Sequence, residues 1–189
     1  MRNILVVENN ADSTLLEKAL NNSGFNFLKI QLEPSFLTFA KESRPDVIIF
    51  NLDRASAPVI ADLQALNRHN PLPTIVFSRY CCAQAIEQII KADVSALIID
   101  ELPGARISSI LPVAVARFRQ NQALKETLEE AQTRFEDRKQ IDRAKAILIK
   151  TQNFTEDKAY HTLRKLAMDR NTTLGEIARN VIAMAELLK

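Results

Sequence analysis

Five strand-like stretches alternate with amphipathic stretches along the first 111 residues of the chain. Ile4–Val7 is wholly apolar, as in a strand that is buried on both faces, and Phe25–Leu32 can supply a second strand. The other three stretches are Val47–Phe50, Thr74–Phe77 and Ala96–Ile99. Helical periodicity occupies 13–22, 57–68 and 82–91, and a further helix is predicted from residue 34 or 35 up to residue 43. Strands that alternate with helices predict a parallel, doubly wound α/β sheet, which is flavodoxin-like if its strand order is 2-1-3-4-5.

The first predicted helix carries end signals at both termini. Ser13 is expected to be its N-cap, because a serine hydroxyl there can accept from a free backbone N–H, and Gly24 follows its last turn. Its apolar side chains are expected to share the buried side of the helix, and they are Leu15, Leu16, Ala19 and Leu20.

The segment from Arg106 to Lys150 contains no glycine and no proline after Pro112, which predicts one long helix. Four of its apolar positions have the spacing of a coiled-coil seam, and they are Leu124, Leu128, Ala131 and Phe135. Only about two heptads are regular, fewer than the roughly three or four that make a coiled coil persuasive. The pattern leaves two interpretations open, a dimerising coiled coil and an amphipathic helix that packs on its own domain. In the first, Asn121 falls at a seam position and would fix the register.

Two helical segments are predicted on either side of Asn153 and Phe154. The first has an apolar stripe that consists of Ala144, Ile147, Leu148 and Thr151. Thr155 is expected to cap the second, with acidic residues in its first turn. The buried side chains of this second helix are predicted to be Ala159, Tyr160, Leu163, Leu166, Ala167 and Met168. A tyrosine can also stack on a base, but the position of Tyr160 on the stripe favours the core.

A third helix is predicted after Asn171 and opens on a capping box. In that motif the Thr173 hydroxyl accepts from the backbone of Glu176, whose carboxylate accepts from the backbone of Thr173. The buried side chains of this helix are predicted to be Leu174, Ile177, Ala178, Val181, Ile182 and Ala185. Helices this short are marginal alone, so the last three are expected to share one core.

Charge divides the chain at the same place as the hydrophobic pattern. Residues 138–189 contain eleven Lys and Arg and six Asp and Glu, a net charge of +5, whereas residues 1–137 carry −3 of the total of +2. A small basic module beside an acidic domain indicates an anionic partner, and nucleic acid is the usual one. A solvated basic surface without such a partner is the alternative that charge alone leaves open.

Other features narrow the class of protein. No apolar run approaches the roughly 18 residues of a membrane span, and the first residues lack the pattern of a signal peptide. Cys81 and Cys82 are adjacent and cannot staple a fold, which is typical of a cytoplasmic protein with reduced thiols. His69 and His161 lack metal-ligand spacing, and phosphate-loop, dinucleotide and paired-cysteine motifs are missing. We therefore expect a protein that is not an enzyme and that has no catalytic residue, metal or cofactor.

Several separated motifs in the last quarter of the chain resemble the ANTAR domain, a three-helix RNA-binding module of bacterial transcription antiterminators. These motifs are Ala144-Lys145 with Leu148, Ala159-Tyr160, Leu163-Arg164, Ala167-Met168, and Leu174 with Ile177-Ala178. Together with the upstream domain they resemble the AmiR/NasT family, in which a receiver-like domain and a helical stalk precede the ANTAR domain. The resemblance implies a pseudo-receiver over 1–116, a coiled-coil linker over 117–137 and an ANTAR domain over 138–189.

A response-regulator receiver that is phosphorylated needs an acidic pair for Mg²⁺, an Asp nucleophile, a hydroxyl and a Lys at the carboxyl ends of its strands. The receiver pattern maps onto Glu8, Asn9, Asn51, Ser78 and Asp100. An amide cannot form an acyl phosphate, and an aspartate reverses the charge of the lysine. Asp53 lies two residues past the mapped nucleophile, about 7 Å further along the strand. We therefore predict a pseudo-receiver that docks another protein and does not accept phosphate.

The resemblance also implies a function and partners. Members of the family bind paired stem-loops in leader mRNA and prevent termination, and the branch that regulates nitrate and nitrite assimilation genes is inhibited by a NasS-like nitrate-binding sensor protein. We expect a homodimer formed through the helical segment and an RNA surface that includes Arg143, Lys145, Lys150, Arg164, Lys165, Arg170 and Arg179. Lys145 and Arg164 lie in the family motifs, and the other five are chosen for their charge.

Three alternatives stay open at this point. One is an AmiR-like antiterminator that answers to another small-molecule sensor, and the second is a protein-docking adaptor. The third is a DNA-binding regulator with a helix-turn-helix, which is disfavoured because the last helices lack the tight glycine-containing turn of that motif.

Overall fold

The computed structural model describes residues 3–9, 13–33, 36–100 and 106–187. The strands are β1 (Asn3–Asn9), β2 (Asn26–Gln31), β3 (Val47–Arg54), β4 (Thr74–Tyr80) and β5 (Ala96–Ile99). The helices are α1 (Thr14–Asn22), α2 (Phe36–Ser43), α3 (Ala57–His69), α4 (Ala83–Lys91), α5 (Ile107–Gln152), α6 (Glu156–Asp169) and α7 (Leu174–Leu187). The start of α2 predicted at residue 34 or 35 lies outside the described residues. The chain divides between Gln122 and Ala123 into two compact units, and α5 contributes residues to both.

The first unit is built on a parallel sheet with the order β2-β1-β3-β4-β5. This order confirms the predicted flavodoxin-like fold. β3 and β4 extend beyond their predicted ends, into Asn51–Arg54 and Ser78–Tyr80. The aliphatic runs end at Asn51 and Ser78, the first polar residues, whereas strand pairing continues through the residues that follow.

Helices cover both faces of the sheet. On one face, Leu5 and Val7 of β1 share a core with residues of α2, α3 and α4. On the other face, Ile4 and Val6 share a core with α1 and the start of α5, which includes Leu111. Each large aliphatic side chain buried in this way stabilises the fold by about 1.5–3 kcal/mol.

One prediction about α1 is wrong, and another is confirmed only in part. Leu15 is exposed, whereas Leu16 and Leu20 are buried, because consecutive residues of a helix point about 100° apart. Ser13 occupies the N-cap position, but its side chain caps no backbone N–H. Its hydroxyl instead donates to Glu17 Oε1 at 2.7 Å. Hydrogen bonds to an ionised carboxylate are strong, so the hydroxyl is oriented towards Glu17.

In the second unit, the end of α5 packs with α6 and α7 around one apolar core. The buried members of this core are Ala144, Leu163, Ala167, Ile177, Ala178 and Ile182. α5 ends at Gln152, and Asn153 turns the chain with a φ of 55°, at the break that the sequence predicts. Thr155 caps α6 as predicted, since its hydroxyl oxygen accepts from the Lys158 backbone N–H at 3.3 Å.

Two local predictions in this unit need correction. The capping box of α7 is only half formed: the Thr173 hydroxyl accepts from the Glu176 N–H at 3.2 Å, but the Glu176 carboxylate accepts from the Thr172 hydroxyl. Thr151, predicted on the apolar stripe of α5, is exposed, whereas Ile141, ten residues earlier in the helix, packs against the core. The stripe therefore lies earlier along α5 than the sequence predicted.

The prediction that Tyr160 and Met168 are buried is also wrong. Tyr160 is 40% exposed and Met168 is 72% exposed. The row of α6 that faces the core consists of Ala159, Leu163 and Ala167, spaced four residues apart. Tyr160 and Met168 each follow a member of that row by one residue, so both are rotated by about 100° out of the core.

Candidate nucleic-acid interface and degenerate receiver pocket

The positions of the degenerate receiver pocket lie at the carboxyl edge of the sheet. Glu8 and Asn51 are partners in the parallel register of β1 and β3, and both are buried. Ser78, at the same edge of β4, is buried and its hydroxyl donates to the Tyr80 carbonyl at 3.0 Å. Asp100 follows β5 with a φ of 83°, and its backbone N–H donates to the Ser78 carbonyl at 3.1 Å. The fold thus collects the residue types that the sequence predicts, including the amide at the nucleophile position.

Asn9 and Asp53 complete this edge of the sheet. Asn9, the second position of the mapped acidic pair, ends β1 and is half-buried. Asp53 lies near the end of β3 with its carboxylate half-exposed, and Arg79 Nε is 3.8 Å from its Oδ1. The carboxylate of Asp53 therefore has a guanidinium beside it at the rim of the edge.

A cation that sequence reasoning missed lies beside Glu8. Lys29 Nζ, from β2, is 3.6 Å from Glu8 Oε2 and 2.5 Å from Glu17 Oε1 of α1. The Ser13 hydroxyl also accepts from this ammonium, at 3.3 Å. The hydrogen bond to Glu17 raises the pKa of Lys29 above its ordinary value, and the nearby charge of Glu8 acts in the same direction against partial desolvation. A fixed ammonium therefore lies against the one carboxylate that remains of the receiver's acidic pair.

Two of the seven candidate RNA-binding cations join α5 to α7. Arg143 of α5 is 2.7 Å from the Glu186 carboxylate of α7, and Arg179 of α7 is 2.7 Å from the Asp137 carboxylate of α5. Gly175 makes room for the second pair, because a Cβ at that position would overlap the Asp137 carboxylate. These two cations have structural partners within the unit.

Lys145 is a third cation with partners. Its Nζ lies 2.8 Å from Asp142 Oδ1 and 2.9 Å from Glu156 Oε1, and its side chain is only 17% exposed. The hydrogen bond to Asp142, and then the bond to Glu156, raise the pKa of Lys145. The same bond lowers the pKa of Asp142. Lys145 therefore ties the end of α5 to the first turn of α6.

The other four candidate cations are exposed, and they make no ion pair with the described residues of the chain. They are Lys150, Arg164, Lys165 and Arg170. Arg164 and Lys165 lie on α6, and Arg170 is the C-cap of that helix. A cation without an internal partner is available to a polyanion without first breaking a contact.

The predicted seam of α5 is exposed in the single chain. Leu124, Leu128 and Phe135 all present large apolar surface. Asn121, at the proposed register position, donates from Nδ2 to Asp93 Oδ1 at 3.1 Å. The seam is therefore open to a partner, while Asn121 is engaged within its own unit.

The described part of the chain contains no helix with the length and apolar character needed to cross a membrane. Among the same residues, no three His, Cys, Asp or Glu side chains are grouped so that they could hold a metal ion.

Comparison with known proteins agrees with this arrangement. Residues 129–182 match the ANTAR domain family. The transcriptional regulatory protein PdtaR of Mycobacterium tuberculosis is 25% identical over 143 residues, which cover 76% of this chain and 70% of that protein. The nitrate regulatory protein of Klebsiella oxytoca is 35% identical over 78 residues, which cover 41% of this chain and 20% of that protein.

The fold of the first unit has counterparts among solved structures. The signal receiver domain of a modulated diguanylate cyclase from Desulfovibrio desulfuricans superimposes with a TM-score of 0.56 at 15% identity, over 64% of this chain and 98% of that domain. The first unit therefore has a receiver-like fold, and residues 129–182 match the ANTAR domain family. In this combination of domains the chain resembles NasT-like antiterminators.

Proposed function

We propose that this protein is an RNA-binding antiterminator of nitrate and nitrite assimilation genes. Its helical unit binds paired stem-loops in the leader mRNA as the transcript emerges in the cytoplasm. A NasS-like nitrate-binding sensor protein controls it by docking on the receiver-like domain, without phosphorylation. The proposed domains are 1–116, 117–137 and 138–189, with dimerisation through the middle segment.

The observation that carries the RNA-binding proposal is the set of four exposed cations on and around α6. Lys150, Arg164, Lys165 and Arg170 lie within the residues that match the ANTAR domain, and none is held by an acid of the described chain. Arg143, Lys145 and Arg179 belong to the same proposed surface, but they also stabilise the bundle through ion pairs. The similarity to the nitrate regulatory protein supports nitrate assimilation genes as the target.

A direct test compares two nucleic acids. The full-length protein should retain a paired stem-loop leader RNA from a nitrate assimilation gene more tightly than a duplex DNA of equal length at matched salt. The logarithm of the binding constant should fall with the logarithm of salt concentration, by roughly 0.7–0.9 for each phosphate contact. Equal retention of both nucleic acids, or retention of neither, contradicts the proposal. Retention of an amidase-operon leader instead favours the AmiR-like alternative.

The pseudo-receiver part of the proposal rests on Asn51 and Lys29. Asn51, an amide at the mapped nucleophile position, is the strand partner of Glu8, and the Lys29 ammonium lies beside the Glu8 carboxylate. Incubation with acetyl phosphate and Mg²⁺ should leave the intact mass of the protein unchanged. A stable added phosphoryl group would show that another side chain, such as Asp53, accepts phosphate.

The proposed homodimer rests on the exposed seam of α5. Leu128→Asp places a charge in the middle of the seam and should convert the dimer to a monomer in sedimentation velocity. Gln132→Asp adds the same charge at an exposed position of the same helix off the seam, so it should leave the dimer intact. A monomeric wild-type chain, or equal effects of the two substitutions, argues against the seam.

A further inference from the structure

One side of α6 carries an exposed row that the bundle does not use. Tyr160, Arg164 and Met168 follow one another at intervals of four residues, so their side chains lie along one line over about 12 Å. Tyr160 is 40% exposed, Met168 is 72% exposed and Arg164 is exposed. The row places an aromatic ring and a thioether on either side of a guanidinium.

The charges around this row favour a nucleic acid over a protein partner. Arg164 lies in the row, and Lys165 and Arg170 lie close to it along the chain, all without an ion pair to the described residues. Such cations attract phosphates, while a flat ring and a thioether attract the faces of bases. Bases inside a duplex have their faces already stacked, so only unpaired bases, such as those of a hairpin loop, can use this row.

Acidic residues at both ends of the row limit where phosphates can lie. Asp157 precedes Tyr160 by three residues and is exposed, and Asp169 directly follows Met168 and is also exposed. Phosphates are therefore disfavoured at the two ends and favoured in the middle, at Arg164. A base on the Tyr160 ring would then have its phosphate beside the guanidinium four residues further along the helix.

We propose that Tyr160 stacks on an unpaired loop base of the bound RNA, with Arg164 on the adjacent phosphate and Met168 against a neighbouring base. This inference rests on the proposed RNA-binding function and adds a contact that recognises an unpaired base of the loop. It assigns to Tyr160 a role in recognition of unpaired bases, which the buried position predicted from the sequence would exclude.

The experiment uses the full-length protein and a paired stem-loop RNA selected for binding from a library with randomised loop bases. Tyr160→Ala should weaken binding by about 5-fold to 100-fold, the effect of one lost base–aromatic stack, while Tyr160→Phe, which keeps the ring, should stay within about 3-fold of wild type. Tyr80→Ala is the matched control, because Tyr80 is the only other tyrosine, is also exposed and lies in the first unit. Circular dichroism at the binding temperature verifies that each variant keeps its helices.

A double-mutant cycle locates the base. Loop bases are replaced one at a time by abasic sugars, and each RNA is measured with wild type and with Tyr160→Ala. At one loop position the abasic change should weaken wild-type binding and cause little further loss in Tyr160→Ala. Independent effects at every loop position, or wild-type affinity in Tyr160→Ala, overturn stacking while leaving the RNA-binding function in place. Failure of the wild-type protein to select any stem-loop RNA removes both proposals.

Discussion

The two units of this protein differ in whether the charged groups discussed above are paired. In the receiver-like unit, Glu8 is buried against a lysine of the same unit, and its register partner Asn51 is buried as well. In the helical unit, Arg164 and Lys165 are exposed on α6 with no acidic partner among the described residues. A charged group that is paired within its own unit has less to offer a ligand than an unpaired cation has.

The contrast is consistent with the proposal that the receiver-like fold does not accept phosphate. The sheet keeps the topology that brings polar residues to its carboxyl edge, where Ser78 donates to the Tyr80 carbonyl and Lys29 pairs with Glu8. In the helical unit, Arg143, Lys145 and Arg179 form ion pairs that join its helices, whereas the other candidate cations are available to a partner. Four substitution experiments test this difference between the two units.

The first experiment tests which row of α6 forms the core. Leu163→Ala should lower the free energy of unfolding by about 2–5 kcal/mol, because Leu163 is fully buried between the helices. Met168→Ala, on the exposed row, should change it by less than about 0.5 kcal/mol. Urea unfolding followed by circular dichroism measures both. Comparable losses from the two substitutions would mean that α6 is rotated relative to the core described above.

The second experiment tests the internal cation of the receiver-like unit. Lys29→Met removes the ammonium beside Glu8 and Glu17, so Mg²⁺ should gain a site and raise the melting temperature of the variant. Mg²⁺ should leave the melting temperature of the wild type unchanged. Lys41→Met, which removes an exposed lysine on α2, serves as the control. An identical Mg²⁺ response in all three proteins would show that the ammonium does not exclude a cation.

The third experiment separates binding cations from packing cations. Arg164→Gln should reduce the salt dependence of RNA binding by about one phosphate contact, roughly 0.7–0.9 in the logarithmic slope, and leave stability unchanged. Lys145→Gln should also reduce stability, by about 0.2–1 kcal/mol for each ion pair that it loses. Fluorescence anisotropy and thermal melting of the same samples give both quantities. If Arg164→Gln proves as destabilising as Lys145→Gln, the division between the two groups fails.

The fourth and smallest effect concerns pH. Asp142 has a lowered pKa, so its contribution to stability is present above its ordinary value of 3.8 and is lost as pH falls through the lowered pKa. Lys145 has a raised pKa, so its contribution is present below 10.5 and is lost as pH rises through the raised pKa. The stability difference between wild type and Lys145→Gln should therefore be constant between about pH 5 and pH 9 and shrink below pH 3.8. A difference that already falls between pH 7 and pH 5 would require another titrating group.

The elements were predictable from the sequence because their signals are local. Apolar runs located four of the five strands, and the more mixed stretch Phe25–Leu32 located β2. Asn153 and Thr155 located the end of α5 and the start of α6. The width of the buried face of α6 was not predictable in the same way. Ala159, Leu163 and Ala167 are buried as predicted. Tyr160 and Met168 are hydrophobic enough to be predicted in the core as well, but both are exposed.

The partners of the charged side chains were not predictable, because each depends on register or packing between distant parts of the chain. Lys29 is 21 residues from Glu8, and only the pairing of Lys29 with Val6 shows that it shares a sheet face with Glu8. The ion pairs that distinguish Arg143 and Arg179 from the unpaired cations likewise join α5 and α7. Composition identified the basic unit, but tertiary structure decides which of its cations are free.

Gly175 and Asp137 depend on one another although they lie 38 residues apart in the sequence. The missing side chain of Gly175 leaves the space in which the Asp137 carboxylate reaches Arg179. Any larger residue at 175 displaces that carboxylate, so such a change is tolerated best when position 137 becomes small as well. These two sites should consequently vary together among homologous proteins, and the guanidinium at 179 should be retained where glycine and aspartate occur as a pair.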